Sequence, residues 1–400
     1  MAGAELIGQE EIQEVMEVME TGVLMRYEFH DQRKGIYKVA EFEKAFAGYL
    51  GSAHALGVTS GSAALKVALT ALDVGPGDEV IVPAFDFIAT YEAVLEVGAI
   101  PVMTDIDDTF NLDPRAIEDR LSLATKAVIP VHMCGAAARM EEILAVTRKH
   151  NLLVLEDNAQ ACGGSIEGKK LGTFGDMGIM SFDFYKTITT GEGGMIVTDS
   201  KHLYERSDWY HDHGHDHNPA VGRALEGRTI LGFNYRMNEL QGALGLAQLR
   251  KLDFILAEQR KHKALLKDAL GRVPGISFRH LVDPAGDAAT FIGFSFSGAP
   301  EAKRFQKALA EQRVDATYYK ENAWHYAPRW EHLIAGATAN SKGYPFTNPI
   351  YKGAVDYSAD HVPYADNLLG RSLFMAIPVK MSEEYRETVL KGIETAAKAM

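Results

Sequence analysis

The chain has 400 residues, of which 46% are hydrophobic and 24% are charged, a composition typical of a globular protein of about two domains. Its formal charge of −13 argues against a surface that binds nucleic acid or an anionic membrane, because either would need a basic face. The two cysteines have no metal-ligand spacing. No secretory signal and no run of about 20 apolar residues occurs, so the composition predicts a cytoplasmic protein.

From about residue 60 to 200, short apolar runs alternate with helical patterns. The runs, rich in Val and Ile, predict buried strands at 79–85, 100–106, 126–133, 152–157 and 193–200. Apolar residues at helical spacing predict helices between them, at 62–72, 91–99, 113–121 and 139–150. This alternation indicates an α/β fold with a mostly parallel sheet, in which ligands bind beyond the carboxyl ends of the strands.

The segment 236–270 predicts one long helix, or two, leading from a large domain to a smaller one. The remainder mixes a strand-like run at 275–281 with helical patterns at 300–313 and 382–399, as in a small α+β domain. We therefore predict a large domain over 1–250 and a small domain over 251–400.

One lysine stands where lysines are seldom found. In "SFDFYKTITTGEGG" (181–194), Lys186 lies between an apolar-aromatic run and a glycine-rich turn, not on a solvated face. A lysine amine forms a Schiff base with an aldehyde when its surroundings lower its pKa. The position therefore suggests covalent chemistry.

Three other strand ends carry chemically useful groups. Asp157 closes "LLVLED" and could pair with a protonated ring nitrogen, as pyridoxal phosphate (PLP) requires, or simply cap a loop. The Ser60-Gly61-Ser62 turn precedes an alanine-rich helix, whose amino terminus could bind an anion or could be a plain cap. Phe85 follows a strand and could stack on a flat cofactor or belong to the core.

Five stretches, taken in order, carry a family resemblance. "TSGSAAL", "VPAFDFIAT", "LEDNAQACGG", "SFDFYKTITTGEGGM" and "LGFNYRMNELQGALGLAQLRKLD" together resemble the DegT/DnrJ/EryC1/StrS sugar aminotransferases, from near residue 35 to the end. The resemblance implies PLP as the cofactor and the fold of the aspartate aminotransferase superfamily (fold type I). It also implies a homodimer with active sites at the interface.

The same resemblance implies roles for individual residues. Lys186 is the Schiff-base lysine and proton carrier, and Asp157 pairs with the ring nitrogen. The other implied cofactor contacts are Gln160 and Phe85 beside the ring, Gly61, Ser62 and Ser181 at the phosphate, and Asn234 reaching the phosphate of the neighbouring subunit. Two positions depart from the family pattern: Ser62 replaces the usual threonine, and Asp86 adds a possible negative charge where threonine is common. Lysine at 186, where a few members have histidine, favours transamination over dehydration.

A narrower resemblance concerns the amino-group acceptor. "FHDQRKGIYKVAEFEKAFA", "VHMCG", "HDHGHDH" and "NAWHY" resemble members that aminate the 8-oxo form of 3-deoxy-manno-octulosonate, with glutamate as donor. Arg26 and Arg236 could then hold the sugar carboxylate, or could form ordinary ion pairs. The remaining predicted substrate contacts are Asp86, His215, Trp324 and His325. A nucleotide-linked 3- or 4-oxo sugar, or a simple amine or aldehyde, is an alternative substrate.

The histidine-rich run "HDHGHDH" raises a different possibility. On an extended segment its alternate residues, His211, His213, His215 and His217, would share one face and could bind zinc or nickel. The alternative is a polar active-site loop without a metal, which we favour. Two functions are alternatives to that of an aminotransferase. One is a sensor that binds PLP without turnover, and the other is a metal-dependent enzyme that uses the histidine-rich run.

Overall fold

The strands of the protein are short, and most lie before residue 200. The computed structural model describes residues 2–339 and 341–400. The strands are β1 (His54–Val58), β2 (Glu79–Pro83), β3 (Ile100–Thr104), β4 (Thr125–Val128), β5 (Leu153–Asp157), β6 (Ser165–Ile166), β7 (Lys169–Lys170), β8 (Met177–Ser181), β9 (Gly194–Thr198), β10 (Ser277–Phe278), β11 (Phe291–Ser295) and β12 (Ser372–Ala376).

Seven strands form the main sheet, in the order β1-β9-β8-β5-β4-β2-β3. The pairs β2–β3, β2–β4, β4–β5 and β5–β8 are parallel, whereas β9 is antiparallel to both β8 and β1. Within this sheet only β9 therefore runs against the rest, which confirms the predicted mostly parallel α/β sheet. Every residue of β2, β8 and β9 is buried, which accounts for their nearly continuous apolar sequences.

Helices connect the strands and cover the sheet. They are α1 (Gln9–Thr21), α2 (His30–Arg33), α3 (Lys38–Leu50), α4 (Gly61–Ala71), α5 (Ala89–Glu96), α6 (Pro114–Ile117), α7 (Met140–Lys149), α8 (Lys201–His211), α9 (Glu239–Arg250), α10 (Leu252–Leu270), α11 (Ala299–Glu311), α12 (Glu331–Ile334), α13 (Pro363–Gly370) and α14 (Glu383–Ala397). Local sequence explains several starts. The Ser60 hydroxyl caps α4 by accepting the N–H of Ala63, and Ser200 caps α8 in the same way at Leu203.

The five predicted strands are all present, as β2, β3, β4, β5 and β9. The sequence patterns missed β1 and β8, each of which contains a glycine that weakens the strand signal. In β8 that glycine is required, because a Cβ at Gly178 would lie 2.0 Å from the carbonyl oxygen of Gly172. Close backbone packing thus requires a glycine in β8, and this glycine weakens the sequence pattern that would have predicted the strand.

The predicted long helix over 236–270 consists of two helices, α9 and α10, which meet at Lys251. Leu252 and Ile255 at the start of α10 pack with residues of the main sheet, whereas Leu266 and Leu270 at its end pack with the second sheet. That second sheet is antiparallel, in the order β10-β11-β12. We retain 1–250 and 251–400 as the proposed division into domains.

No helix within residues 2–339 and 341–400 combines the length and the apolar character needed to cross a membrane.

Candidate functional site

A cavity of about 410 Å³ lies where β5 and β8 end and α4 begins. This volume is within the range of small-molecule sites, and its position at the carboxyl ends of strands is the one expected for an α/β sheet. Among its lining residues are Ser60, Gly61, Ser62, Asp86, Phe87, Asp157, Gln160, Ser181, Asp183, Tyr185, Lys186, Glu192, Trp324 and His325. A larger recess of about 690 Å³ shares Ser60 and Ser62 with it but is lined by neither Lys186 nor Asp157.

Lys186 enters this cavity from the loop between β8 and β9. The loop is held by backbone hydrogen bonds, such as those from the N–H of Lys186 to the oxygen of Asp183 and from Phe182 to Gly193. The Lys186 amine lies 5.7 Å from the centre of the Phe87 ring. Burial lowers the pKa of Lys186, and the negative charge of Asp157 only partly opposes the shift. A larger fraction of this amine is therefore uncharged and nucleophilic than in an exposed lysine.

Asp157 ends β5, and its carboxylate faces the same cavity. Its Oδ1 accepts the N–H of Ala159 at 3.0 Å, and its Oδ2 lies 3.1 Å from the Thr90 hydroxyl. Burial raises the pKa of Asp157, while the Ala159 N–H and the charge on Lys186 oppose the shift. A cationic ring nitrogen placed here would keep this carboxyl ionised.

The start of α4 supplies a site for an anion beside these two groups. The first N–H groups of a helix have no acceptor within the helix, and the positive end of its dipole points the same way. Ser62 and Ser181 add hydroxyls to the cavity wall. Glycine is needed at 61, because a Cβ there would lie 2.7 Å from the Cβ of Ser181. Gly61, Ser62 and Ser181, three of the four residues expected to hold a phosphate, thus line one cavity.

Gln160 lines the cavity, and a hydrogen bond from a backbone N–H fixes the orientation of its side-chain amide. The N–H of Cys134 donates to its Oε1 at 2.9 Å, so that the amide nitrogen is left as a donor. Cys134 itself is buried and free, as is Cys162. The predicted contact of Gln160 with a cofactor ring is compatible with this placement.

Phe85 is a correction to the sequence prediction. Its ring is fully buried in the core, 4.9 Å from the ring of Tyr319 and 5.8 Å from that of Phe374, and it does not line the cavity. Phe87 lines the cavity instead. The chain leaves β2 at Pro83 and then pairs with residues 324–326, so the two rings point to different places and only Phe87 can stack on a cofactor.

The two phenylalanines should respond differently to truncation. Phe87→Ala is expected to weaken PLP binding by about tenfold, the loss of roughly 1.4 kcal/mol of stacking, with little change in stability. Phe85→Ala is expected to lower the free energy of unfolding by about 3–5 kcal/mol, since it leaves a cavity in the core. Titration of the apo-protein with PLP and urea unfolding measure the two effects. A loss of cofactor affinity confined to Phe85→Ala would contradict the placement of Phe87.

The predicted substrate residues Asp86, Trp324 and His325 do line the cavity. The indole of Trp324 stacks on Phe87 at 5.9 Å with an interplanar angle of 7°. Burial, reinforced by the charge on Lys186, lowers the pKa of His325 to about 4, so this imidazole is neutral near pH 7.

Arg26, Arg236 and His215, the other candidate substrate contacts, do not line this cavity. Arg26 forms a buried ion pair with Glu43 at 2.8 Å, and Arg236 donates to Asp212 at 2.5 Å. The Nδ1 of His215 lies 2.5 Å from Glu226. The geometry thus supports the ion-pair alternative for both arginines, because each guanidinium already has a carboxylate partner.

The histidine-rich run is not the extended segment that its alternation suggested. His211 ends α8, and both His213 and His217 have positive φ, so the chain turns instead of alternating. Within the described ranges, no group of three or more His, Cys, Asp or Glu residues is placed to hold a metal ion. His211 contacts the Tyr27 hydroxyl at 3.1 Å, and the ring of His217 lies 4.7 Å from that of Tyr27.

Asn234 is exposed and does not line the cavity of its own subunit. It lies in the loop between α8 and α9, where the side chains of Leu231 and Phe233 are 96% and 61% exposed. The sequence predicted that this residue acts in a neighbouring subunit.

Sequence reasoning missed Phe87, which lines the cavity, and Thr90, whose buried hydroxyl donates to Asp157. Both belong to "VPAFDFIAT", the stretch that already carried a family signal, but nothing in the pattern tells which of its side chains face the ligand. Asp183, Tyr185 and Glu192 were missed as well.

Comparisons with known proteins identify the family of the chain. The sequence profile of the DegT/DnrJ/EryC1/StrS aminotransferase family matches residues 5–344. GDP-perosamine synthase from Caulobacter vibrioides is 44% identical over 59% of this chain, a match that spans 62% of that protein. UDP-N-acetyl-3-dehydro-alpha-D-glucosamine 3-aminotransferase from Acidithiobacillus ferrooxidans is 42% identical over 86% of this chain and 84% of its own length. The spore coat polysaccharide biosynthesis protein SpsC from Bacillus subtilis is 38% identical over 98% of this chain and 96% of its own length.

Among solved structures, an aminotransferase from Psychrobacter cryohalolentis has a TM-score of 0.82. It is 27% identical in sequence, and the superposition covers 97% of this chain and 96% of the other. The α/β architecture therefore belongs to a known aminotransferase fold.

Proposed function

The chain belongs to the DegT/DnrJ/EryC1/StrS aminotransferase family, and on this premise we propose that it transfers an amino group from L-glutamate to a nucleotide-linked oxo sugar. Aminotransferases of this family use PLP and have fold type I, so the protein is a PLP-dependent sugar aminotransferase. The identities of donor and acceptor are the proposed part. The observation that carries the proposal is the half-buried Lys186 and the buried Asp157 in the wall of one cavity, next to a helix amino terminus.

The residues present fit PLP. The phosphate would lie at the amino terminus of α4 with Ser62 and Ser181, and the ring would lie against Phe87 with its nitrogen toward Asp157. Lys186 would hold the aldehyde carbon through its amine. When bound, the cofactor supplies an electron sink that delocalises negative charge from the carbon that loses its proton.

Each side chain then has a definite task in transamination. The Lys186 amine, when it is free, would act as a general base that accepts the proton from the α-carbon of the donor. The low pKa that burial gives Lys186 suits this task, because the amine must be uncharged to take the proton. Asp157 would keep the ring nitrogen protonated by placing a negative charge beside it, and the stacked rings of Phe87 and Trp324 form part of the cavity wall.

The acceptor is the less determined substrate. A sugar acid, such as the 8-oxo form of 3-deoxy-manno-octulosonate, needs a cationic partner for its carboxylate. Among the described residues that line the cavity, Lys186 is the only lysine or arginine, and Arg26 and Arg236 are paired elsewhere. Two of the relatives are named for sugars linked to GDP or UDP. A nucleotide diphosphate is also anionic, so the lining of the cavity does not separate the two substrates; the names of the relatives are what favour a nucleotide-linked sugar over the free sugar acid.

Single-turnover reactions test the acceptor. The protein is first converted to its aminated form with glutamate and freed of 2-oxoglutarate. It is then mixed with a UDP- or GDP-linked 3- or 4-oxo sugar, or with the 8-oxo sugar acid. We expect the nucleotide-linked sugars to restore the PLP spectrum at least about tenfold faster, corresponding to 1.4 kcal/mol of preferential transition-state binding. Faster recovery with the sugar acid would overturn the proposal for the acceptor but not for the reaction.

We further propose a homodimer in which Asn234 reaches the phosphate of the neighbouring subunit. Exposed apolar side chains beside it, at Leu225, Leu231 and Phe233, support a protein interface, because a monomer seldom leaves such a group in water. Mixing inactive Lys186→Ala subunits with Asn234→Ala subunits tests this arrangement. If Asn234 acts across the interface, a mixed dimer contains one intact site and regains activity; if it acts within its own subunit, no intact site forms.

A further inference from the structure

A single hydroxyl group lies between two buried carboxyl groups at the edge of the cavity. The Thr90 Oγ1 is 3.1 Å from the Oδ1 of Asp86 and 3.1 Å from the Oδ2 of Asp157. Asp86 and Thr90 are 0% exposed, and Asp157 is 5% exposed. Water therefore does not screen the interactions among these three side chains.

The number of available protons limits this arrangement. A threonine hydroxyl donates one hydrogen bond and can also accept. If both carboxyls were ionised, Thr90 could donate to only one, and the other negative oxygen would face a lone pair at hydrogen-bond distance. If one carboxyl carries a proton, its O–H donates to the Thr90 oxygen, and the Thr90 hydroxyl donates to the other carboxylate. Both 3.1 Å contacts are then satisfied hydrogen bonds.

Two observations place that proton on Asp86, and one contact opposes them. Its Oδ2 is buried and has no hydrogen-bond partner among the described residues, an arrangement that is far more costly for a carboxylate than for a neutral acid. Its Oδ1, the oxygen that faces Thr90, also accepts the N–H of Phe87 at 2.6 Å, a contact that by itself lowers the pKa of Asp86. Burial raises the pKa of Asp86 well above its ordinary value, and the charge on Asp157 adds to the shift.

Asp157 differs because its surroundings favour a negative charge. Its Oδ1 accepts a backbone N–H, and its charge interacts favourably with Lys186 and His132. Asp86 instead interacts electrostatically with Asp157 and Tyr91, neither of which supplies a positive charge. The two carboxyls are therefore inequivalent although they share one hydroxyl.

We propose that Asp86 is held as a neutral carboxylic acid and, through Thr90, acts as a positioning residue that keeps the negative charge of the site on Asp157. Its acid O–H donates to the Thr90 hydroxyl, which donates to the Oδ2 of Asp157. The consequence for catalysis rests on the proposed function, since only there does Asp157 have a ring nitrogen to stabilise. The protonation of Asp86 does not depend on it.

Infrared spectra of the apo-protein at pH 7 test the protonation. We expect the wild type to show an acid C=O band that is absent from Asp86→Asn and retained in Asp157→Asn. The reverse pattern, or loss of only a carboxylate band in Asp86→Asn, would overturn the proposal. Thr90→Val should shift the frequency of this band, because the acid loses its acceptor, and Thr90→Ser should not. An unchanged band in Thr90→Val would overturn the relay even if Asp86→Asn failed to fold.

A second readout uses the protein loaded with PLP, whose visible band depends on pH. Asp86→Asn replaces one neutral group with another and is expected to move the midpoint of this titration by less than about half a pH unit, whereas Asp157→Asn should move it by about one unit or more. Equal shifts would show that Asp86 is charged and would overturn the proposal. The apo-protein spectra test the protonation of Asp86 in the absence of PLP. A negative result there is therefore distinguishable from a failure of the aminotransferase assignment.

Discussion

Replacing Lys186 by alanine is expected to lower the rate at which glutamate is converted to 2-oxoglutarate by at least about 10³-fold. The variant lacks both the amine that holds the cofactor and the base that moves the proton from the donor. Coupled detection of 2-oxoglutarate measures the rate. Reduction of the loaded wild type with borohydride, followed by peptide mass spectrometry, should place the cofactor on the peptide that contains Lys186.

The matched control is Lys169→Ala, since Lys169 is an exposed lysine on β7 outside the cavity. It should retain the wild-type rate. A turnover rate of Lys186→Ala close to that of the control would show that Lys186 takes no part in the reaction.

The same substitution should leave a pH signature in the stability of the apo-protein. Burial lowers the pKa of Lys186 in the folded chain below its unfolded value of about 10.4, so the unfolded chain binds more protons between the two values. The contribution of Lys186 to stability is therefore unfavourable at low pH and becomes less so as the pH rises through that window. Thermal unfolding should show Lys186→Ala gaining stability relative to wild type at pH 7 and losing this advantage toward pH 10.

The second large effect is expected at Asp157. Asp157→Asn should lower transamination by about 10²–10³-fold, because the neutral amide cannot hold a positive charge on the ring nitrogen. Stability should be retained or increased, since burial already raises the pKa of this carboxyl and an amide avoids that cost. Steady-state rates and urea unfolding report the two quantities separately.

Glu156 provides a control at the neighbouring position. Its carboxylate accepts the N–H groups of Gly172, Phe174 and Gly175 and contacts His132 at 3.0 Å, all away from the cavity. Glu156→Gln turns one acceptor into a donor and should reduce the free energy of unfolding by about 1–3 kcal/mol. If Asp157→Asn lost stability and Glu156→Gln lost only activity, the two roles would have to be exchanged.

The alternation of residues along β5 made this distinction accessible from sequence. Asp157 and Glu156 point to opposite faces because successive side chains of a strand do so, and the family signal selected Asp157. The prediction for Phe85 rested instead on its place after a strand and on the family resemblance, and neither shows which ring faces the cavity beyond Pro83, where β2 ends. In this irregular segment the ring of Phe85 packs in the core, and the ring of Phe87 lines the cavity.

Long-range pairing was the other limit. Nothing local in the sequence shows that Arg26 pairs with Glu43 or that Arg236 pairs with Asp212. An unpaired arginine and an arginine in a buried ion pair therefore look the same in the sequence. In the same way, Thr90 looks like an ordinary first-turn residue of α5 until the fold brings Asp157 to its hydroxyl. The strands, the reactive lysine and its aspartate followed from pattern, whereas their partners required the folded chain.

The central claim is that Lys186 and Asp157 form a PLP-dependent transamination site. The most direct measurement is the visible spectrum of the purified protein with PLP, recorded before and after addition of L-glutamate. The assignment predicts a yellow band that glutamate bleaches, with one 2-oxoglutarate released for each site. Absence of a yellow band in the presence of PLP would contradict the assignment of Lys186, and a band that no amino acid bleaches would leave a PLP-binding protein that is not a transaminase.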